Sequence, residues 1–124
     1  MAVVGFEFSK INVDKTAPLK GEVNIKNNVK LTNVERSDLV VGANKTPGLK
    51  FTFNYESSYE PDFAKISLEG SVLFIGDEAL VAETVESWGK DKKVKEDLMA
   101  VILNNVLDKA NVQSLILSST VNLP

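Results

Sequence analysis

The sequence predicts an α+β domain, in which an antiparallel β-sheet of about four strands is followed by one long helix and one or two short helices. Residues 1–75 mostly alternate apolar and polar side chains, as strands do, whereas most later residues repeat apolar side chains every three or four positions. No helical pattern separates the strands, which favours antiparallel pairing, because parallel strands need long crossover connections. Without a Gly/Ser-rich linker, residues 1–124 are expected to form a single domain.

The first two predicted strands contain irregular positions. Val4, Phe6 and Phe8 alternate with polar or small residues, but the apolar residues after them have the opposite parity. We therefore expect a bulge or twist near residues 9–10, because a shift of one residue turns side chains to the other face. Residues 15–21 are predicted to form a turn or loop.

A second half-buried strand is predicted from four apolar residues of one parity, namely Val23, Ile25, Val29 and Leu31. Asn27 occupies an inward position of this pattern. It leaves open the alternative of a tight type I′ turn at residues 27–28, although one long strand is favoured. Residues 37–48 are predicted mainly to connect this strand to the next.

The strongest strand signal is a hairpin built from residues 49–55 and 66–74, which both alternate apolar with polar side chains. Residues 57–62 are predicted to form its turn. Gly70 interrupts the second strand and indicates a bend or a place of close packing. Gly76 and Asp77 end the sheet region.

The remaining residues predict helices. A short helix over residues 78–88 is expected to end at Gly89. Asp91 is a candidate N-cap for a long amphipathic helix of about five turns, which Asn111 is expected to end. Residues 112–119 form a shorter apolar segment, for which helix is favoured over strand.

Composition excludes several classes of active site. The chain has no cysteine and no histidine, so disulfides, Cys- or His-ligated metals, the Ser-His-Asp triad and a histidine general base are all excluded. No phosphate-binding, dinucleotide-binding or G-x-S-x-G motif is present. We therefore predict a protein without catalytic residues, metal ligands or cofactors, with an enzyme based on lysines or carboxylates as the alternative.

Charge and hydropathy limit the partners. A net charge of −3 and an isoelectric point near 5.0 speak against nucleic-acid binding. No apolar run approaches the roughly 18 residues of a membrane helix. The N-terminus lacks the features of a signal peptide, so a cytoplasmic location is predicted. Because the chain ends on Pro124 directly after an apolar segment, we expect a further tail in the natural protein.

Six aromatic residues are candidate polypeptide-binding residues, namely Phe6, Phe8, Phe51, Phe53, Tyr55 and Tyr59. One interpretation makes the sheet aromatics a core face covered by the long helix. The other leaves part of this surface available to a partner subunit or a bound polypeptide. Tyr59 falls in the predicted hairpin turn and is expected to be exposed, where tyrosine suits contact surfaces.

The predicted elements follow one another as two strands, a long hairpin and a main helix. Six segments show this pattern most clearly, namely residues 8–13, 20–25, 49–55, 66–74, 101–107 and 121–124. With these segments the chain resembles the SecB-like chaperone fold and, more specifically, small SecB-like proteins of archaeal type. The resemblance implies a non-enzymatic chaperone that binds unfolded polypeptides and assembles as a homo-dimer or homo-tetramer. The alternative function is a module that binds or regulates a single protein partner.

Overall fold

Four long strands form one antiparallel sheet in this structure, a computed structural model that describes residues 2–15, 24–60 and 64–120. In chain order the elements are β1 (Ala2–Lys15), β2 (Asn24–Arg36), β3 (Leu39–Val41), β4 (Asn44–Thr46), β5 (Gly48–Glu60), β6 (Ala64–Ile75), α1 (Glu78–Asp91) and α2 (Glu96–Thr120). The order in the main sheet is β1-β6-β5-β2. The predicted fold class is confirmed, while β3 and β4 form a small hairpin within the predicted connection at residues 37–48.

One face of the sheet is buried and the other is partly exposed. Side chains along a strand point alternately to the two faces, so burial alternates along a strand such as β5. In β5 the odd-numbered residues from Leu49 to Tyr59 are buried, and the even-numbered residues from Lys50 to Glu60 are only half-buried and mostly polar. Phe51 and Phe53 lie in one cluster with residues of both helices, such as Val81 and Ile102. We call this side the helix face and the polar side the open face.

The expected irregularity in the first strand is confirmed. The register between β1 and β6 passes from Phe8 opposite Gly70 to Lys10 opposite Glu69, which leaves Ser9 as an extra residue. A further shift lies between Val3 and Gly5. The extra residues explain the change of parity, because each bulge moves the following side chains to the other face.

The second strand is continuous through residues 27–28, so the alternative of a tight turn there is wrong. Its pairing with β5 shifts once, between Leu31 and Asn33. The predicted hairpin of β5 and β6 is also confirmed, with Phe53 opposite Gly70. Its turn was predicted too early, since β5 continues to Glu60 and residues 61–63 lie outside the described part of the chain.

Gly70 confirms the expectation of close packing. A Cβ atom at this position would lie 2.9 Å from Phe53 Cζ and in collision with the backbone oxygen of Glu7. The absence of a side chain at position 70 therefore allows the backbone of β1 and the Phe53 ring to lie close to β6. Lys15, the first residue of the loop predicted at residues 15–21, belongs to β1, and residues 16–21 lie outside the described part of the chain.

Both predicted helix ends need correction. Helix α1 continues through Gly89 to Asp91 and ends at Lys92, which adopts a left-handed conformation with φ 56°. Asp91 is therefore the last residue of α1 and does not cap α2. Helix α2 continues through Asn111, so residues 112–119 belong to it.

Packing explains the continuation of α2. Ala110, one residue before the predicted helix end, is fully buried. The hydroxyl group of Tyr55 donates a hydrogen bond to Asn111 Oδ1 at 3.4 Å. These contacts attach the second half of α2 to the sheet and override the weak tendency of asparagine to end helices.

Arg36 links the end of β2 to the start of α1. Its Nη1 donates to Glu78 Oε1 at 2.8 Å, its Nη2 donates to Glu78 Oε2, and its Nε donates to Asp38 Oδ1 at 3.0 Å. Hydrogen bonding to Arg36 holds the pKa of Glu78 below its usual value. Burial raises the pKa of Asp38, but hydrogen bonds from the Gly48 N–H and Arg36 outweigh it, so the net shift is downward. The arrangement fixes the first turn of α1 against the sheet.

Candidate functional site

Four of the six predicted polypeptide-binding residues lie in the core. Phe51 and Phe53 are 0% exposed, Tyr55 is 1% exposed and Tyr59 is 4% exposed. The expected exposure of Tyr59 is wrong, because β5 extends past the predicted turn and places this side chain on the helix face, opposite Ala64. Burial also raises the pKa of its hydroxyl group.

The other two, Phe6 and Phe8, are half-buried on strand β1. The ring of Phe6 stacks on Phe53 with centroids 5.4 Å apart, and Phe8 meets Phe53 edge-on at 6.2 Å. The geometry is that of aromatic packing in a protein interior. It favours the core interpretation of the sheet aromatics over the interpretation as a contact surface.

Exposed apolar surface lies on the outer side of α2 instead. Val112 is 59% exposed, Leu115 is 69% exposed and Ile116 is 55% exposed. Spacings of three and four residues place them on one face of the helix. We call these three residues the α2 patch, and sequence reasoning missed it because the segment was separated from the long helix. Extending the helical pattern through Asn111 places all three opposite the buried Val106 and Ala110.

Two further exposed apolar residues lie on the outer strands of the sheet, beside the helices. Ile11 and Ile25 are each 47% exposed and lie on the helix face of the outer strands β1 and β2. Their neighbours across the strands, Leu68 and Tyr59, are buried. The helix layer also covers part of the outer strands, since α1 packs against β2 and Val34 is buried, but it leaves Ile11 and Ile25 open to solvent.

A groove lies between the first turns of the two helices, with a volume of about 570 Å³. Its apolar lining comes from both helices and from one end of the sheet, where β1 begins and β6 ends, namely Ala2, Phe74, Ala79, Leu80, Leu98 and Val101. Its charged lining consists of Asp77, Glu83, Lys95 and Asp97. Lys95 Nζ lies 3.1 Å from Glu83 Oε1, so the one ammonium group is already paired. This volume is within the range of ligand-binding clefts.

The described residues offer neither a carboxylate metal site nor a membrane-spanning helix. Across residues 2–15, 24–60 and 64–120, no three Asp or Glu side chains come together in a way that could hold a metal ion. Neither α1 nor α2, the helices of the described part, is both long and apolar enough to cross a bilayer.

Comparison of the chain with family models, curated proteins and solved structures gave no match.

Proposed function

We propose that this protein is a chaperone-like protein of SecB-like type, which binds non-native polypeptides through exposed apolar surface and has no catalytic role. The α2 patch carries the proposal. Its three side chains are more than half exposed, whereas side chains of similar size beneath the same helix are sealed in the core. Contiguous exposed apolar residues on a folded protein are typical of surfaces that contact other polypeptides.

The strength of one such contact can be estimated. Complete burial of one valine, leucine or isoleucine side chain is worth about 1.5–3 kcal/mol, so completing the burial of the α2 patch contributes roughly 3–5 kcal/mol. Micromolar affinity requires about 8 kcal/mol after the cost of association. One patch therefore binds weakly, and useful affinity needs several patches in one assembly or a second contact on the same chain.

Among the described residues β1 has a partner strand on one side only, and assembly through its other edge would bring two patches into one particle. Two copies of β1 that pair antiparallel about Asn12 would place Lys10 opposite Asp14 of the other copy, and Asp14 opposite its Lys10. The same register places Ile11 opposite Val13, an apolar pair on the helix face. Opposite charges and apolar pairs across strands both stabilise antiparallel pairing.

The other free edge is less suited to self-pairing. Two copies of β2 that pair about Asn28 would place Lys26 opposite Lys30 of the other copy. Like charges opposite each other destabilise strand pairs, and lysines on an edge are a known protection against association. We therefore propose a homo-dimer joined through β1.

A charge-swap series tests this dimer. Lys10→Asp or Asp14→Lys alone replaces two attractive pairs with two repulsive pairs, so the dissociation constant should rise about tenfold or more at low salt. The double variant restores both pairs and should dimerise like the wild type. Sedimentation equilibrium at low salt measures the constants. A monomeric wild type at tens of micromolar, or a double variant as weak as the single ones, would contradict β1 pairing.

An aggregation assay tests the function. At stoichiometric ratio, the wild type should delay the aggregation of a chemically denatured test protein after dilution. Val112→Ser with Leu115→Ser should remove at least half of this protection, because it removes most of the exposed apolar area of the α2 patch. Val40→Ser is the matched control, since Val40 is 65% exposed on β3, away from this patch. A wild type that gives no protection at any salt concentration excludes the proposed function.

A further inference from the structure

We infer that the groove between α1 and α2 is a second polypeptide-binding site, selective for segments in which an apolar side chain stands next to a lysine or arginine. The inference rests on the proposed function and names the kind of segment that the protein selects.

The shape of the groove fits apolar side chains. Phe74 and Leu98 form its inner surface and are only 4% and 7% exposed, whereas Val101 on its wall is 49% exposed. A side chain that enters would cover Val101 and contact the small Ala79 and Ala2 at the mouth. About 570 Å³ admits more than one side chain, so a short segment can enter with its neighbours.

The charges of the groove select the flanking residue. Of the four charged lining residues, Glu83 and Lys95 neutralise each other. In the part of the chain that the structure describes, neither Asp77 nor Asp97 forms an ion pair. Each carboxylate accepts one backbone N–H through Oδ1, Asp77 from Leu80 at 2.7 Å and Asp97 from Leu98 at 3.1 Å. Neither has a cation of its own among the described residues, and the two negative charges at the groove favour a lysine or arginine beside the apolar anchor.

The helix dipoles do not cancel this preference. Each helix N-terminus is equivalent to about half a positive charge. Asp77 adds a full negative charge at the start of α1, and Glu96 and Asp97 add two more at the start of α2. The carboxylates outweigh the two dipoles, so the groove keeps a negative potential.

The position of the groove points to an extended non-native chain as its occupant. Val101 in the groove and Val112 in the α2 patch are eleven positions apart on the same outer side of α2, which corresponds to about 16 Å along the helix. An extended segment spans this distance with about five residues. One unfolded chain can therefore contact both sites at once, and this supplies the second contact that a single patch lacks.

Peptide binding tests the groove directly. A fluorescein-labelled peptide of about eight residues, long enough when extended to fill the groove, carries leucine and phenylalanine next to an arginine. Two control peptides differ from it. In the first, glutamate replaces the arginine, and in the second, serine replaces both apolar residues. By fluorescence anisotropy at low salt, the arginine peptide should bind about tenfold tighter than the glutamate peptide, and the serine peptide should not bind.

Two variants localise the binding. Ala79→Trp fills the mouth and should weaken the arginine peptide at least tenfold, whereas Ala82→Trp, at an exposed position of α1 outside the groove, should not. Asp97→Asn should weaken the same peptide about two- to fivefold and reduce the preference for arginine over glutamate. Asp108→Asn, at an exposed position of α2, is its control. Thermal melts verify that each variant is folded.

The outcomes separate this inference from the proposed function. Loss of peptide binding in Ala79→Trp but not in Ala82→Trp supports the groove. Equal binding by both tryptophan variants, or no discrimination among the three peptides, overturns it, even if the wild type still protects a denatured protein. A wild type that binds the arginine peptide in the groove but gives no protection supports the site and excludes the general chaperone function, which would leave a specific partner as the source of the segment.

Discussion

Replacing Gly70 with alanine is expected to lower the free energy of unfolding by about 3 kcal/mol, at the upper end of the usual cost of overpacking. The added Cβ would lie 2.9 Å from Phe53 Cζ and would collide with the backbone oxygen of Glu7. A side chain can rotate away, but the Glu7 carbonyl belongs to β1 beside a bulge. Its displacement would disturb the ladder between β1 and β6.

Urea denaturation followed by circular dichroism measures this loss. Gly89→Ala is the matched control, because a Cβ there meets nothing within 4 Å and the residue lies inside helix α1. Alanine is the better helix former, so this control should gain about 0.5–1 kcal/mol. A Gly70→Ala protein as stable as the wild type would show that β1 does not approach β6 as closely as described.

Phe53→Ala is expected to cost about 3–5 kcal/mol of unfolding free energy. Phe53 is 0% exposed and contacts the rings of Phe6 and Phe8. Its removal leaves a cavity under both helices and also exposes the bare backbone of Gly70 across the strand pair. Since domains of this kind are stable by about 5–15 kcal/mol, the variant should be partly unfolded or close to it.

The Phe53→Ala variant also distinguishes a role of this side chain in the core from a role in polypeptide binding. If Phe53 acts only in the core, protection of a denatured test protein should fall in proportion to the folded fraction, measured in the same buffer. Leu115→Ser should behave in the opposite way, with unfolding free energy within about 0.5 kcal/mol of wild type and reduced protection, because the side chain is 69% exposed. A fully folded Phe53→Ala protein that no longer protects would instead make this ring part of the binding surface.

Much of the fold followed from local pattern. Alternation in β5 and β6 predicted the central hairpin, and the change of parity near Ser9 predicted the bulge in β1, because both depend on the geometry of single strands. The element ends were predicted less well. Asn111 and Gly89 resemble helix ends, yet both lie inside helices, because the burial of the neighbouring Ala110 and Trp88 outweighs the preferences of single residues.

The candidate site was the harder problem. The alternation of β5 correctly places Phe51, Phe53 and Tyr55 on one apolar face, whereas Tyr59 was expected in an exposed turn and in fact continues that face. Alternation cannot tell whether a helix covers the face. The α2 patch was missed because Val112, Leu115 and Ile116 are exposed only if α2 continues past Asn111. The groove combines residues from β1, β6, α1 and α2, so no local pattern contains it.

The sequence by itself determined the α+β class, and it excluded sites that need cysteine or histidine. Both conclusions depend on local properties of the chain, namely the spacing of apolar residues and the residue types present. It also determined that one face of the sheet is apolar. Only the tertiary structure decided which apolar side chains are covered and which remain at the surface. Exposure depends on the elements that lie opposite, and the two helices seal the buried aromatic residues of the helix face while leaving the outer side of α2 in solvent.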